Sequence, residues 1–360
     1  TLKKQFTRFA KLALFFTFLV TLAGSVVRMT GSGMGCPDWP RCFGYYIPPS
    51  NPAQLDFHPE HDYRKGMMII KNDTLWRALN DFRSGNGFDH ANWEKYPKHD
   101  YAKFVVAHTW TEYINRLSGA TMGLVVLGLF ITSFVWYREK PLLTMLSTGM
   151  LLLTGFQAWL GALVVSSHLA PVKITIHMLA VLVLLVLIQL ILKINRQLQA
   201  PIQNAQAHQI ATSQPIVFTL RNWFLLALLL TTVQIVLGTE VREAIDQIAS
   251  NAGNTGRETW VNQLPFTFYI HRSFSILLLL INGWLLIKAR QSGNQRTGSF
   301  ALIAICILVM EVLAGIILSY ADFPAIVQPL HLLLGLMLFA AQFECWLSLG
   351  KDQISESPSA

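Results

Sequence analysis

Charge is what this 360-residue chain has least of: Asp, Glu, Lys and Arg together make up 13% of it, about half the share of a typical soluble domain. That scarcity, beside 52% hydrophobic residues, excludes an ordinary water-soluble enzyme and a disordered or collagen-like chain. Cysteine is sparse too, and four in the whole chain cannot staple a small disulfide scaffold. Acids are nearly absent from the long apolar runs, Glu311 being the one well inside a run. Paired acids and obvious Gly/Pro breaks at mid-span are missing as well, which argues against a transporter built on broken helices. The formal charge is +8. In a membrane protein such an excess belongs to cytoplasmic loops, so no nucleic-acid partner is read from it.

What is present is a set of eight apolar segments, at 12–27, 105–137, 142–165, 172–194, 223–238, 266–287, 300–320 and 325–349. Each is close to the ~20 residues that cross a hydrocarbon core as a helix. The second is too long for one span, and its first turns are expected to project beyond the bilayer. The first lacks a small-residue cleavage site and leads into Arg28, so it reads as a retained helix. Lys3, Lys4, Arg8 and Lys11 precede the first span; Arg138 and Lys140 follow the second; Lys193, Arg196 and Arg221 follow the fourth; Lys288, Arg290 and Arg296 follow the sixth; Lys351 lies in the tail. The short segments on the other side offer Lys173, Arg242 and Arg257. Both termini are therefore expected to be cytoplasmic. The expected organisation is a first transmembrane helix in 1–30, an exterior insertion at 31–104 and helices two to four in 105–195. A cytoplasmic linker at 196–221, a four-helix bundle at 222–349 and a cytoplasmic tail at 350–360 complete it. Within the insertion, Trp76, Leu79 and Phe82 stand at helical spacing and predict an amphipathic helix packed on the outer ends of the bundle.

The two halves resemble each other. Gly24-Ser25-Val26-Val27-Arg28 matches Gly238-Thr239-Glu240-Val241-Arg242, and Glu112-Tyr113-Ile114-Asn115-Arg116 matches Phe268-Tyr269-Ile270-His271-Arg272. Gln157 and Gly161 match Glu311 and Gly315, and His177 matches His331. Each half is then four helices. An even number of spans per half makes the repeats parallel, two pseudosymmetric bundles related by an axis along the membrane normal.

Of ten histidines, His177, His271 and His331 lie inside predicted spans, each near the exterior end. An ionisable group in lipid is a functional candidate by default. A single one of them could be a hydrogen-bonding strut. Repeat-related His271 and His331, on helices able to face each other, suit the two axial positions of a haem iron in a four-helix bundle. Arg28, Arg116, Arg242 and Arg272 share the outer level, where they can pair with haem propionates or snorkel at the interface. An electron-carrying b-type cytochrome without bond chemistry is the alternative reading of this pattern.

The chain resembles the heme A synthase family over nearly all its length outside the insertion. The resemblance rests on Gly24-Ser25-Val26-Val27-Arg28, on Thr30-Gly31-Ser32-Gly33-Met34-Gly35-Cys36-Pro37-Asp38-Trp39-Pro40 with Cys42, on Glu112-Tyr113-Ile114-Asn115-Arg116, and on the spans opening with His177, His271 and His331. It implies an eight-helix membrane oxidoreductase in which His271 and His331 hold a resident heme b. The N-terminal bundle takes heme O and oxidises its ring methyl to the formyl of heme A, by two hydroxylations and loss of water. The resemblance also implies a catalytic role for Glu112. From the residues alone, that carboxylate could equally pair with Arg116 one turn on. The implied setting is a bacterial-type cytoplasmic membrane with haem sites near the exterior side and a terminal oxidase as the product's destination. Heme O synthase is a candidate neighbour, the electron donor is unidentified, and a homo-oligomer is an open possibility.

One position departs from the family's pattern: Asn115 stands where a histidine is usual, and Asn is a poor iron ligand. His108 lies seven residues upstream on the same face, about 10 Å further out. Either His108 replaces the missing ligand, or His177 binds alone; capping the outer end of the helix is the plain role for His108. Cys36 and Cys42 sit on the exterior side, where a disulfide persists. They read as a loop-closing bridge, with a thiol pair of redox or haem-handling role as the alternative. Cys306 and Cys345 read as packed thiols. His58-Pro59-Glu60-His61 reads as surface, and His90, His99, His168 and His208 carry no usable signal, although His168 lies at the outer level.

Overall fold

A computed structural model describes residues 2–96, 104–166, 171–199, 214–253 and 255–350. Lys351 with the tail, and His99, His168 and His208, lie outside the described residues. Eight helices are long and apolar enough to cross a membrane. They are α1 (Leu2–Met29), α2 (Val106–Ser133), α3 (Pro141–Ser166), α4 (Pro171–Gln199), α5 (Gln214–Asn251), α6 (Phe266–Gln291), α7 (Gln295–Tyr320) and α8 (Val327–Ser348). Local chemistry sets several ends. Pro141 opens α3, where its missing N–H costs nothing, and the Asn294 side chain accepts the Thr297 N–H at 3.1 Å to cap α7.

The fifth helix runs well past its expected apolar stretch. Residues 239–251 are too polar to register as membrane-spanning, yet they hold good helix formers, so α5 continues beyond Gly238 and carries Arg242 and Asp246 with it.

Within each half the same pairings recur: α1 with α2, α2 with α3, α3 with α4 and α4 with α1, then α5 with α6, α6 with α7, α7 with α8 and α8 with α5. Each half is a closed four-helix ring. The N-terminal ring packs on Phe6, Val126, Leu129, Leu143, Met150 and Ile188. The halves meet where α8 touches α1 and α4, and α4 touches α5. Met178, Val181, Leu185, Leu228, Leu336 and Phe339 fill that seam. Large apolar side chains such as Phe15, Leu124, Leu152 and Leu280 point outward, each more than half exposed; a lipid surround removes the cost such a surface would carry in water. Cys306 is on that outward face while Cys345 is buried. Of the two free thiols only Cys345 is packed, because among the described residues no helix covers the face of α7 carrying Leu302, Ile303, Cys306, Val309 and Leu313.

The insertion between α1 and α2 is not built around an amphipathic helix. Five short strands form two sheets: β1 (Asp62–Tyr63) pairs with β4 (Phe82–Arg83), and β3 (Thr74–Ala78) lies between β2 (Met68–Lys71) and β5 (Trp93–Lys95). Trp76 and Phe82, expected on one helix face, belong to β3 and β4. Met68-Ile69-Ile70-Lys71 and Thr74-Leu75-Trp76 are joined by Asn72-Asp73, both at positive φ (50° and 52°). Two such residues make the tight turn that matches strand twist, and Asn and Asp tolerate the left-handed region. His58 and His61 lie at the surface of this unit, His58 Nε2 against the Ala53 carbonyl at 2.9 Å.

Candidate functional site

Near the insertion end of the bundle, each odd-numbered helix lays a glycine against a side chain of the next helix. A Cβ on Gly238 of α5 would stand 3.1 Å from Cε1 of His271 on α6, and one on Gly315 of α7 would stand 3.5 Å from Cε1 of His331 on α8. In the N-terminal half, Gly161 of α3 faces His177 of α4 at 3.9 Å, and Gly24 of α1 faces the Asn115 side-chain oxygen on α2 at 3.8 Å. Four helix pairs therefore present four equivalent seats, three holding imidazoles and one holding an amide.

His271 and His331 face each other with ring centroids 6.3 Å apart and planes at 82°. That separation is wide enough for one metal atom with imidazole bonds of about 2 Å on either side. Among the described residues no group of three or more His, Cys, Asp or Glu converges as a cage for a bare ion. Two opposed imidazoles without further protein ligands among the described residues suit a metal that brings its remaining donors with it. The Nδ1 atoms of His177 and His271 are buried without a hydrogen bond, so these two rings are not struts satisfied by the protein, while that of His331 has a carboxylate oxygen of Glu311 beside it.

One turn before each of these glycines sits a companion residue. Gln157 Nε2 donates to the His177 backbone carbonyl at 3.0 Å, and Gln234 Nε2 does the same to His271 at 3.0 Å. Glu311 Oε2 lies 3.3 Å from Nδ1 of His331. Before Gly24, the seat facing Asn115, the companion is Val20.

The remaining candidates on α2 are tied to the 35–42 loop. Gly35 lies directly on the α2 backbone, where a Cβ would come within 2.6 Å of the His108 carbonyl oxygen. The Gly35 carbonyl accepts the Thr109 hydroxyl at 2.9 Å. Cys36 and Cys42 are disulfide-bonded. Glu112, 2% exposed, accepts the Cys36 N–H at 2.8 Å and pairs with Arg116. Arg116 also donates to the carbonyls of Arg41 and Cys36, at 3.1 and 3.3 Å, and to that of Asp38. Arg116 is thus the organiser of the loop, and Glu112 joins the loop to the helix. Asp38 accepts the Gly44 N–H at 2.9 Å, and burial raises its carboxyl above the usual range. His108 lies two turns outward of Asn115, with its backbone under Gly35.

Arg28 and Arg242, matching residues of the two halves, converge on one carboxylate. Arg28 Nε donates to Asp246 Oδ2 at 2.7 Å, and Arg242 lies 2.8 Å from Asp246 Oδ1 while also donating to Gln328 of α8. Arg272 is exposed, its guanidinium 5.7 Å from the Tyr269 ring centroid and 5.9 Å from that of Phe268. Among the described residues it has no carboxylate partner. Sequence reasoning missed Asp246 and Gln234. The one signal for Asp246 was its place one turn after Arg242 on a helix that outlasts its apolar run; for Gln234, it was the position shared with Gln157 and Glu311.

The family described as cytochrome oxidase assembly protein matches residues 7–73 and 88–343. A heme A synthase of Shewanella oneidensis is 27% identical over 175 residues, 49% of this chain and 41% of that protein. A heme A synthase of Geobacillus kaustophilus is 35% identical over 81 residues, 21% of this chain and 25% of that protein. The aligned stretches span less than half the length of either relative.

Proposed function

The chain belongs to the cytochrome oxidase assembly protein family, and from that premise we propose that it is a heme A synthase, oxidising the ring methyl of heme O to a formyl group. The facing His271 and His331 rings, seated on Gly238 and Gly315, are the observation that carries this reading. They would hold a resident heme b through its iron, and such a group would supply one-electron transfer. Arg272, with no acid beside it among the described residues, and the Arg28–Arg242 pair supply cations for propionates at that level.

The substrate half is the α1–α4 ring. His177 is the one imidazole in its two glycine seats, so heme O hangs on His177 and the Asn115 side stays open to the reacting methyl or to water. His108, two turns further out and under Gly35, is the less favoured ligand. Glu112 is the proton-handling group: its buried carboxylate is one turn outward of Asn115, with Arg116 and the Cys36 N–H holding it in place. A farnesylated substrate enters sideways between helices from lipid, and the enzyme that makes heme O is a fitting neighbour. The basic residues gathered at the end opposite the insertion support cytoplasmic termini in a bacterial-type inner membrane.

The test supplies heme O and a reductant to membranes containing the chain and reads formyl haem from its pyridine adduct. Wild type forms product. His271→Ala and His331→Ala lose the resident haem and with it turnover, and Glu112→Gln keeps haem while stopping product. Pigmented protein that never forms formyl haem would leave only the electron-carrier reading. Colourless wild type would sink both.

A further inference from the structure

The three imidazole seats are not chemically equal, and the difference lies one layer behind the rings. At two of them the companion is an amide, Gln157 behind His177 and Gln234 behind His271, each anchored by its Nε2 to the backbone carbonyl of the histidine it serves. In both cases the amide oxygen and the ring Nδ1 are buried without hydrogen-bond partners. At the third seat the companion is a carboxylate. Glu311 Oε2 stands 3.3 Å from His331 Nδ1, and its Oε1 lies where a Cβ on Gly335 would be 3.4 Å away. Gly335, one turn beyond His331 on α8, leaves the room in which that carboxylate sits. The fourth seat completes the pattern: with Asn115 in place of an imidazole, the companion is Val20, which offers no acceptor. The companion of every ring carries a side-chain oxygen, and the companion of the seat without a ring carries none.

We propose that Gln157, Gln234 and Glu311 are positioning residues for the Nδ1–H groups of His177, His271 and His331, and that Glu311 sets the resident haem to a lower reduction potential than an amide would. This rests on His271 and His331 being that haem's ligands. A metal-bound imidazole presents Nδ1–H to an outer acceptor, which fixes the ring and raises its basicity. A carboxylate does so more strongly than an amide, because a charge-assisted hydrogen bond is the stronger one. The more basic ligand, and the negative charge beside it, favour the oxidised iron. The carboxylate has no counterpart in the substrate half, where the companions are Gln157 and Val20, so the bias falls on the resident haem alone.

The experiment is an optical redox titration of the purified full chain with its resident haem, in wild type, Glu311→Gln and Gln234→Glu. Glu311→Gln reproduces the amide seat in nearly the same volume. It shifts the reduced-to-oxidised ratio at fixed potential about tenfold toward reduced, about 59 mV for one electron. Gln234→Glu places a second carboxylate behind His271 and shifts the ratio the opposite way. Haem occupancy and the bands of bis-imidazole ligation are read on the same samples. A ratio moving less than about twofold in haem-loaded Glu311→Gln, or the two variants moving in the same direction, overturns the proposal. Should Glu311→Gln lose its haem, the absence of a downward shift in Gln234→Glu overturns it equally. Wild type without haem would instead remove the functional reading beneath it.

Discussion

At the scale of single residues, the site depends on what is missing from four side chains as much as on what is present in others. Gly238 lets an imidazole lie against the α5 backbone, and a Cβ there would already be within 3.1 Å of the ring. Gly238→Ala is therefore expected to keep haem with a shifted absorption band, since the ring need move only a few tenths of an ångström. Gly238→Val, with two more carbons in the same space, is expected to lose most of it; haem-to-protein ratio after purification is the measurement. His108→Ala is expected to leave substrate haem binding and turnover within about twofold of wild type, because the ring is two turns from the seats; a loss of about tenfold, roughly 1.4 kcal/mol, would restore His108 as a ligand. The three histidine positions were legible in the sequence, since a histidine in an apolar run is conspicuous and the repeat aligns His177 with His331 and Asn115 with His271. Of their companions, Gln157 and Glu311 stand out as a repeat match, while Gln234 looks like any polar residue on a helix until the facing ring is seen.

At the scale of elements, the 35–42 loop and α2 act as one piece. The disulfide closes the loop, Arg116 gathers three of its carbonyls and Glu112 takes the Cys36 N–H. Asp38 is part of the same piece, and burial raises its carboxyl. A group that holds its proton more tightly folded than unfolded costs stability while ionised, and the cost disappears as pH falls through the folded value. The loop is thus expected to grow more stable as the pH drops from neutrality toward the ordinary carboxyl range, and Asp38→Asn is expected to flatten that slope; hydrogen-exchange protection of the 36–44 amides reads it. The insertion is also where a helical period misled. Trp76, Leu79 and Phe82 fit a helix face by spacing, but Asn72-Asp73 turns the chain back on itself, and the strand pairing of Met68–Lys71 with Thr74–Ala78 outweighs a three-residue coincidence.

Over the whole molecule, two similar rings are joined along an apolar seam and pinned near the insertion end by one acid. Asp246 takes Arg28 from the first half and Arg242 from its own helix. Asp246→Asn is expected to weaken the joint by about 1 kcal/mol, as for a partly exposed ion pair, and Asp246→Glu to restore part of it; thermal unfolding of haem-loaded protein in detergent gives the comparison.

Eight membrane-crossing helices, their grouping in fours and the histidines within the spans could all be read from the chain, because hydropathy and helical period are local and each span must satisfy its own backbone in lipid. The strands of the insertion, the extra turns of α5, the shared carboxylate of Asp246 and the glycine seats against the rings came only with the tertiary structure. Those features join residues far apart in the chain, and the free energy that selects them comes from packing and charge pairing that no local pattern records.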